Sequence, residues 1–117
     1  MGKKMKYRNS QSLKSNYDFQ TVYRKGKSYA NKYLVMYVLG NDSSGNRLGI
    51  SVSKKVGNSV VRHRLTRLIR ESYRLNESHF SKGFDIVVIA RVSAKNATYR
   101  DIEQALLKLA ATHHIVE

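Results

Sequence analysis

Lys54-Lys55-Val56-Gly57-Asn58-Ser59-Val60-Val61-Arg62-His63-Arg64-Leu65-Thr66-Arg67-Leu68-Ile69-Arg70-Glu71 reads as a short turn feeding a helix. With side chains about 100° apart, Val61, Leu65, Leu68 and Ser72 share one face, with Ile69 at its margin. Arg64, Arg67, Arg70 and Arg74 gather on another, and Arg62 stands apart near the helix start. The apolar stripe needs a sheet to lie on. The arginine stripe needs a polyanion, because cations at helical spacing repel one another unless phosphate or solvent compensates. Arginine rather than lysine also favours bidentate contact with phosphate. Solvated helix faces usually mix charge signs, whereas Glu71 is the only acid between Arg62 and Arg74. The face is therefore read as a nucleic-acid surface.

Outward from that helix, the 117 residues suit one domain with a modest core. Lys and Arg number 22 against 8 Asp and Glu, a formal net charge of +14. This favours RNA, DNA or an anionic surface as partner. The charge is uneven: residues 1–32 carry nine basic and one acidic side chains, 47–74 eight and one, and 75–117 five of each. The last third reads as scaffold and the first two thirds as contact surface. Without cysteine there is no disulfide framework and no thiolate metal site. The longest apolar run, 33–39, is too short to span a bilayer, and the basic N-terminus lacks a signal peptide's apolar stretch. A cytoplasmic protein without membrane contact is expected.

Residues 1–14 read as a mobile basic arm, and 15–117 as the folded domain. Ser15 is a candidate cap, with Asp18 three residues on, for a helix ending at Gly26 in the C′ role. Phe19, Val22 and Tyr23 share a face of it, fit either for the core or for stacking on bases. Gly26-Lys27-Ser28 resembles the end of a phosphate-binding loop, but Thr21 occupies the required glycine position and a strand follows, so that reading is rejected. Residues 33–39 form an apolar strand, 40–46 a turn, and 47–53 an alternating strand with Leu48, Ile50 and Val52 on one face and Gly49, Ser51 and Ser53 on the other. The two strands read as a hairpin whose small-residue face leaves room for something to lie against it. A further short strand is open around 28–30. Residues 85–91 form the most buried-looking strand, expected to pair parallel to 48–52. Thr98 and Asp101 cap a closing helix with Ile102, Ala105, Leu106 and Leu109 inward. The four histidines show no metal-ligand spacing, and His113-His114 reads as a solvated pair. The order is α-β-β-β-α-β-α, an α+β two-layer sandwich.

Lys54-Lys55-x-Gly57-Asn58-x-Val60-x-Arg62-x-Arg64, followed by Arg67, Arg70 and Glu71, closely resembles the signature of the bacterial ribonuclease P protein subunit. Asp18-Phe19, Gly26, Ser28, Ala30-Asn31, Tyr37, the run 48–53 and Ile89-Ala90-Arg91 also fall where that family has such residues. The likeness covers roughly 16–109. Two positions depart from the pattern: the usual Arg-Asn-Arg core reads Arg62-His63-Arg64, and the basic residue expected two places on is Thr66.

The resemblance implies a subunit that joins a large catalytic RNA to remove 5′ leaders from precursor transfer RNA. The RNA would hold the catalytic Mg²⁺ and perform the hydrolysis. The protein would supply no catalytic residue and no metal site of its own, and no protein partner is implied. Contacts to the catalytic RNA fall on Lys54, Lys55, Arg62, Arg64, Arg67 and Arg70. A cleft for the single-stranded leader falls on Phe19, Tyr23 and Tyr37, with Ser28, Asn31 and Lys32 nearby. The resemblance also implies a mixed sheet with an uncommon left-handed β-α-β crossover through the basic helix, against the usual hand.

Two other readings differ in class. A ribosomal-type structural RNA-binding protein shares the composition and would track with a ribosomal subunit. A helix-turn-helix DNA binder needs a helix just before the basic one, and an alternating strand stands there instead.

Overall fold

Phe84–Ala90, the most completely buried strand of the chain, takes the centre of the sheet, as strands buried on both faces do. The computed structural model describes residues 7–117. In chain order these form β1 (Ser10–Ser12), α1 (Asn16–Lys25), β2 (Lys27–Ala30), β3 (Leu34–Gly40), β4 (Asn46–Ser51), α2 (Ser59–Asn76), β5 (Phe84–Ala90) and α3 (Tyr99–Thr112). Single 3₁₀ turns lie at Glu77–His79 and Val92–Ala94. The five strands are ordered β1-β4-β5-β3-β2.

β5 pairs parallel with β4, as expected, and antiparallel with β3. The expected hairpin of β3 and β4 is therefore corrected: β5 lies between them. The true hairpin is β2 with β3, closed by Asn31, whose side-chain oxygen accepts from the amides of Tyr33 (3.3 Å) and Leu34 (3.1 Å).

Part of the segment 1–14, expected as a mobile arm, is instead docked on the domain. Residues 1–6 lie outside the described residues, but β1 pairs parallel with β4, and Leu13 is buried. The Glu77 carboxylate holds this segment, accepting from the amides of Arg8 (2.7 Å) and Asn9 (2.9 Å) and from Ser10 Oγ (2.6 Å). Ser10 meets the buried Tyr73 hydroxyl at 2.7 Å, and Asn46 Nδ2 donates to that hydroxyl at 3.3 Å.

α1 covers one face of the sheet, where Val22 packs with Leu13 and Val87. α2 and α3 cover the other, over Leu34, Met36, Leu48, Ile86 and Val88. The α2 stripe is centred differently from the wheel: Leu65, Ile69, Ser72 and Tyr73 are its buried residues, so Ile69 is central and Val61 and Leu68 flank it.

The ladder makes β1, β4, β5 and β2 point the same way. The connections β1-α1-β2 and β4-α2-β5 both run in the same direction across the sheet, on opposite faces. They must therefore have opposite hands, and one is left-handed, against the strong general rule.

Three helix ends follow their residues. Ser15 Oγ accepts from Asp18 N at 3.0 Å, Asn58 Oδ1 from Val61 N at 3.0 Å, and Thr98 with Asp101 forms a reciprocal capping box. Gly26 ends α1 in extended rather than left-handed backbone. A Cβ there would lie 2.6 Å from Val22 O, so close approach is what requires glycine.

Candidate nucleic-acid interface

α2 carries its arginines outward. Among the described residues the ion pairs are Arg47 with Asp18 and Asp85, and Arg74 with Glu71. None reaches Arg62, Arg64, Arg67 or Arg70. Arg67 is exposed. Arg70 lies beside Tyr7; burial pushes that phenol up and the Arg70 guanidinium opposes the shift. Arg62 is half-buried, its Nε donating to Gly57 O at 3.3 Å across the entry turn. Arg64 reaches sideways, donating to the carbonyls of Lys95 (3.4 Å) and Ala97 (2.5 Å). Arg74 is drawn to Glu71 at 2.6 Å and leaves the free stripe. Lys54 and Lys55 stand exposed in the turn, anchored by the buried Val56 between them and the helix. His63 is exposed, Thr66 Oγ1 donates back to Arg62 O at 2.9 Å, and α2 runs unbroken through both positions.

On the opposite face, the structure brings Phe19, Tyr23 and Tyr37 together. The Phe19 and Tyr23 rings are 6.3 Å apart at their centroids, and those of Tyr23 and Tyr37 5.1 Å, edge to face. All three are half-buried. An open trough of about 500 Å³ runs beside Phe19 and Tyr23, lined also by Lys14, Asn16, Gln20 and Ser51. Burial pushes the Tyr23 phenol up, with Ser51 beside its hydroxyl opposing this. The small face of β4 is what admits α1: a Cβ at Gly49 would lie 2.6 Å from Phe19 Cζ. Beneath, Arg47 Nη2 grips the buried Asp85 at 2.6 Å and Nη1 reaches Asp18 of α1 at 3.2 Å. Burial alone would raise the Asp85 carboxyl, but Arg47 and Asn41 outweigh it and hold Asp85 below the usual carboxylate range.

Ser28 lies directly across from Tyr37 in the ladder and is exposed. Asn31 and Lys32 belong to a separate hollow of about 170 Å³ with Tyr33, Asp101, Gln104 and Lys108. The Asn31 amide donates to Ala105 O at 3.0 Å, so its polar atoms hold the β2–β3 turn against α3. A third hollow, about 390 Å³, lies between the entry turn and the end of β5, lined by Ser53, Lys55, Arg91 and Ser93.

Sequence reasoning missed Tyr73, Glu77 and Arg47, all structural. His113 is not solvated: its Nε2 is 2.9 Å from Met36 O, its ring packs edge to face on Tyr29, and burial lowers its pKa. Among the described residues no group of His, Asp and Glu could hold a metal ion, and no helix is long and apolar enough to cross a membrane.

The arrangement is a basic helix on one side and an aromatic trough on the other. Comparison with known proteins gives the family. Residues 7–114 match the family model described as Ribonuclease P. The ribonuclease P protein component of Lachnoclostridium phytofermentans is 62% identical over 107 residues, covering 92% of each chain. That of Clostridioides difficile is 52% identical, covering 90% of this chain and 93% of the relative. The Staphylococcus aureus RNase P protein superposes with a TM-score of 0.84 at 41% identity, over 91% of this chain and 97% of that one. A second S. aureus structure, a mutant described as having defective mRNA degradation activity, gives 0.83 at 42%, over 89% and 88%. The Thermotoga maritima RNase P protein gives 0.80 at 34%, over 86% and 96%. With the matched region spanning nearly every element of the fold, the chain belongs to the ribonuclease P protein family.

Proposed function

We propose that the protein binds the catalytic RNA of ribonuclease P through α2 and its entry turn, and holds the 5′ leader of precursor transfer RNA in the trough beside Phe19 and Tyr23. The observation that carries this is the pair of dissimilar surfaces on opposite faces of one sheet: guanidinium groups without carboxylate partners on α2, and clustered rings under α1. Aromatic rings stack on unpaired bases with little sequence preference, about 1–3 kcal/mol per base, which suits leaders of varied sequence. Exposed arginines and lysines follow folded RNA by charge and shape. The partners are thus the RNase P RNA and precursor transfer RNA, in the cytoplasm.

Chemistry resides in the RNA, which supplies Mg²⁺ when assembled. The protein's contribution is charge and position. Its cations offset phosphate repulsion in the folded RNA, lowering the Mg²⁺ needed, and the trough fixes the leader so that the scissile phosphate is presented. The test is a Mg²⁺ titration of precursor cleavage by the RNA with and without protein. Cleavage at lower Mg²⁺ with protein, together with preference for precursor over mature transfer RNA, is expected; equal affinity for the two removes the leader cleft. The protein alone should leave precursor RNA intact. Because a relative is associated with mRNA degradation, an mRNA substrate belongs in the same assay, and RNA-independent cleavage there would overturn the division of labour.

A further inference from the structure

Arg64 differs from the other arginines of its helix. Its guanidinium spans two backbone carbonyls of the 92–97 turn, Lys95 O and Ala97 O. The turn is otherwise tied down from the opposite side. Arg91 N donates to Tyr33 O at 2.9 Å, Ser93 Oγ donates to Lys32 O, and Ala94 and Ala97 are buried pegs. An exposed turn of this length would be mobile if left to itself. Here each end is stapled to a different element, and what it holds up is Lys95, exposed and in no ion pair among the described residues. Lys95 thus stands beside the helix whose exposed face includes Arg67.

We propose that Lys95 is a direct phosphate contact extending the α2 surface onto the 92–97 turn, and that Arg64 is a positioning residue that acts on RNA through that turn. This rests on the reading of α2 as the catalytic-RNA surface. A planar guanidinium can bridge two carbonyls, whereas an ammonium is a point charge that cannot hold both in fixed geometry. Arg64 and Lys95 are therefore one unit, and their effects on binding should not add.

The experiment uses the full chain with the ribonuclease P RNA of the same genome. Affinity is measured against salt concentration for Lys95→Ala, Arg64→Lys, the double variant and Arg67→Ala, with amide exchange followed across 92–97. Lys95→Ala should weaken binding several-fold and flatten the log–log salt slope by about 0.7–0.9. Arg64→Lys, which keeps the charge, should lose a similar amount and speed exchange at Ala94, Lys95 and Ala97. The double variant should be no worse than the more damaging single one. Two results overturn the proposal: an unchanged slope in Lys95→Ala while Arg67→Ala loses slope, or an Arg64→Lys variant indistinguishable from the parent in binding and exchange. If neither Lys95→Ala nor Arg67→Ala alters the slope, the α2–RNA reading itself falls and takes the proposal with it.

Discussion

Phe19 makes two demands at once, since its ring lies over Gly49 and also walls the trough. Phe19→Ala should cost about 1–3 kcal/mol of leader-dependent affinity, read as a shrinking gap between precursor and mature transfer RNA. Thermal melting of the same variant separates this from unfolding, since a pure core role would lower stability without narrowing that gap in the surviving folded protein. Gly49→Ala acts from beneath: the new methyl collides with Phe19, and overpacking of this kind destabilises by about 1–3 kcal/mol. Asp85 gives a pH dependence. Its folded pKa lies below the ordinary value, so its contribution is full above about pH 4 and is lost as pH falls through the lower folded value. Urea melts of the parent should show this acid loss, and Asp85→Asn should show less of it while losing about 1.5–3 kcal/mol at neutral pH. At this scale the sequence was informative about placement where side-chain type and period decide it, as with the exposed Arg67 of α2 and the adjacent rings of α1. It was not where a polar residue serves its own fold: Asn31 and His113 find backbone carbonyls 74 and 77 residues away, a distance no local pattern encodes.

The elements were legible through their periods and caps. Alternation along β4, the apolar run of β5 and the cap signals of α1 and α3 all mark what forms. Pairing was less legible. A dense turn at 40–46 between two strands invites a hairpin, yet β5 outcompetes β4 for β3 because its two faces both need covering and only a central position provides that. β1 escaped notice because three polar residues have no burial pattern to read; its anchor is one carboxylate at the C-terminal end of α2. That anchor is testable as an element. Burial would raise the Glu77 carboxyl, but Ser10, Asn9 and Arg8 outweigh it and hold it low. Glu77→Ala should detach β1, expose its amides to rapid exchange and cost about 1.5–3 kcal/mol, with α2 amides protected as before.

The molecule as a whole divides charge from aromatic surface by putting a sheet between them. Its core is small, but both faces are covered, and the surface charge that discourages self-association is the same charge that seeks a polyanion. The fold class was readable because composition and periodicity are global properties. The opposed hands of the two crossovers were not, since handedness leaves no trace in spacing. One consequence of the strand order reaches beyond the finished fold. β3 and β4 wait for a common partner encoded after α2, so a nascent chain exposes its most cationic segment before the seam of the sheet has left the ribosome. A fragment ending at residue 83 should show no cooperative melting, and such a truncated polypeptide would be an unfolded polycation, drawn to any RNA nearby.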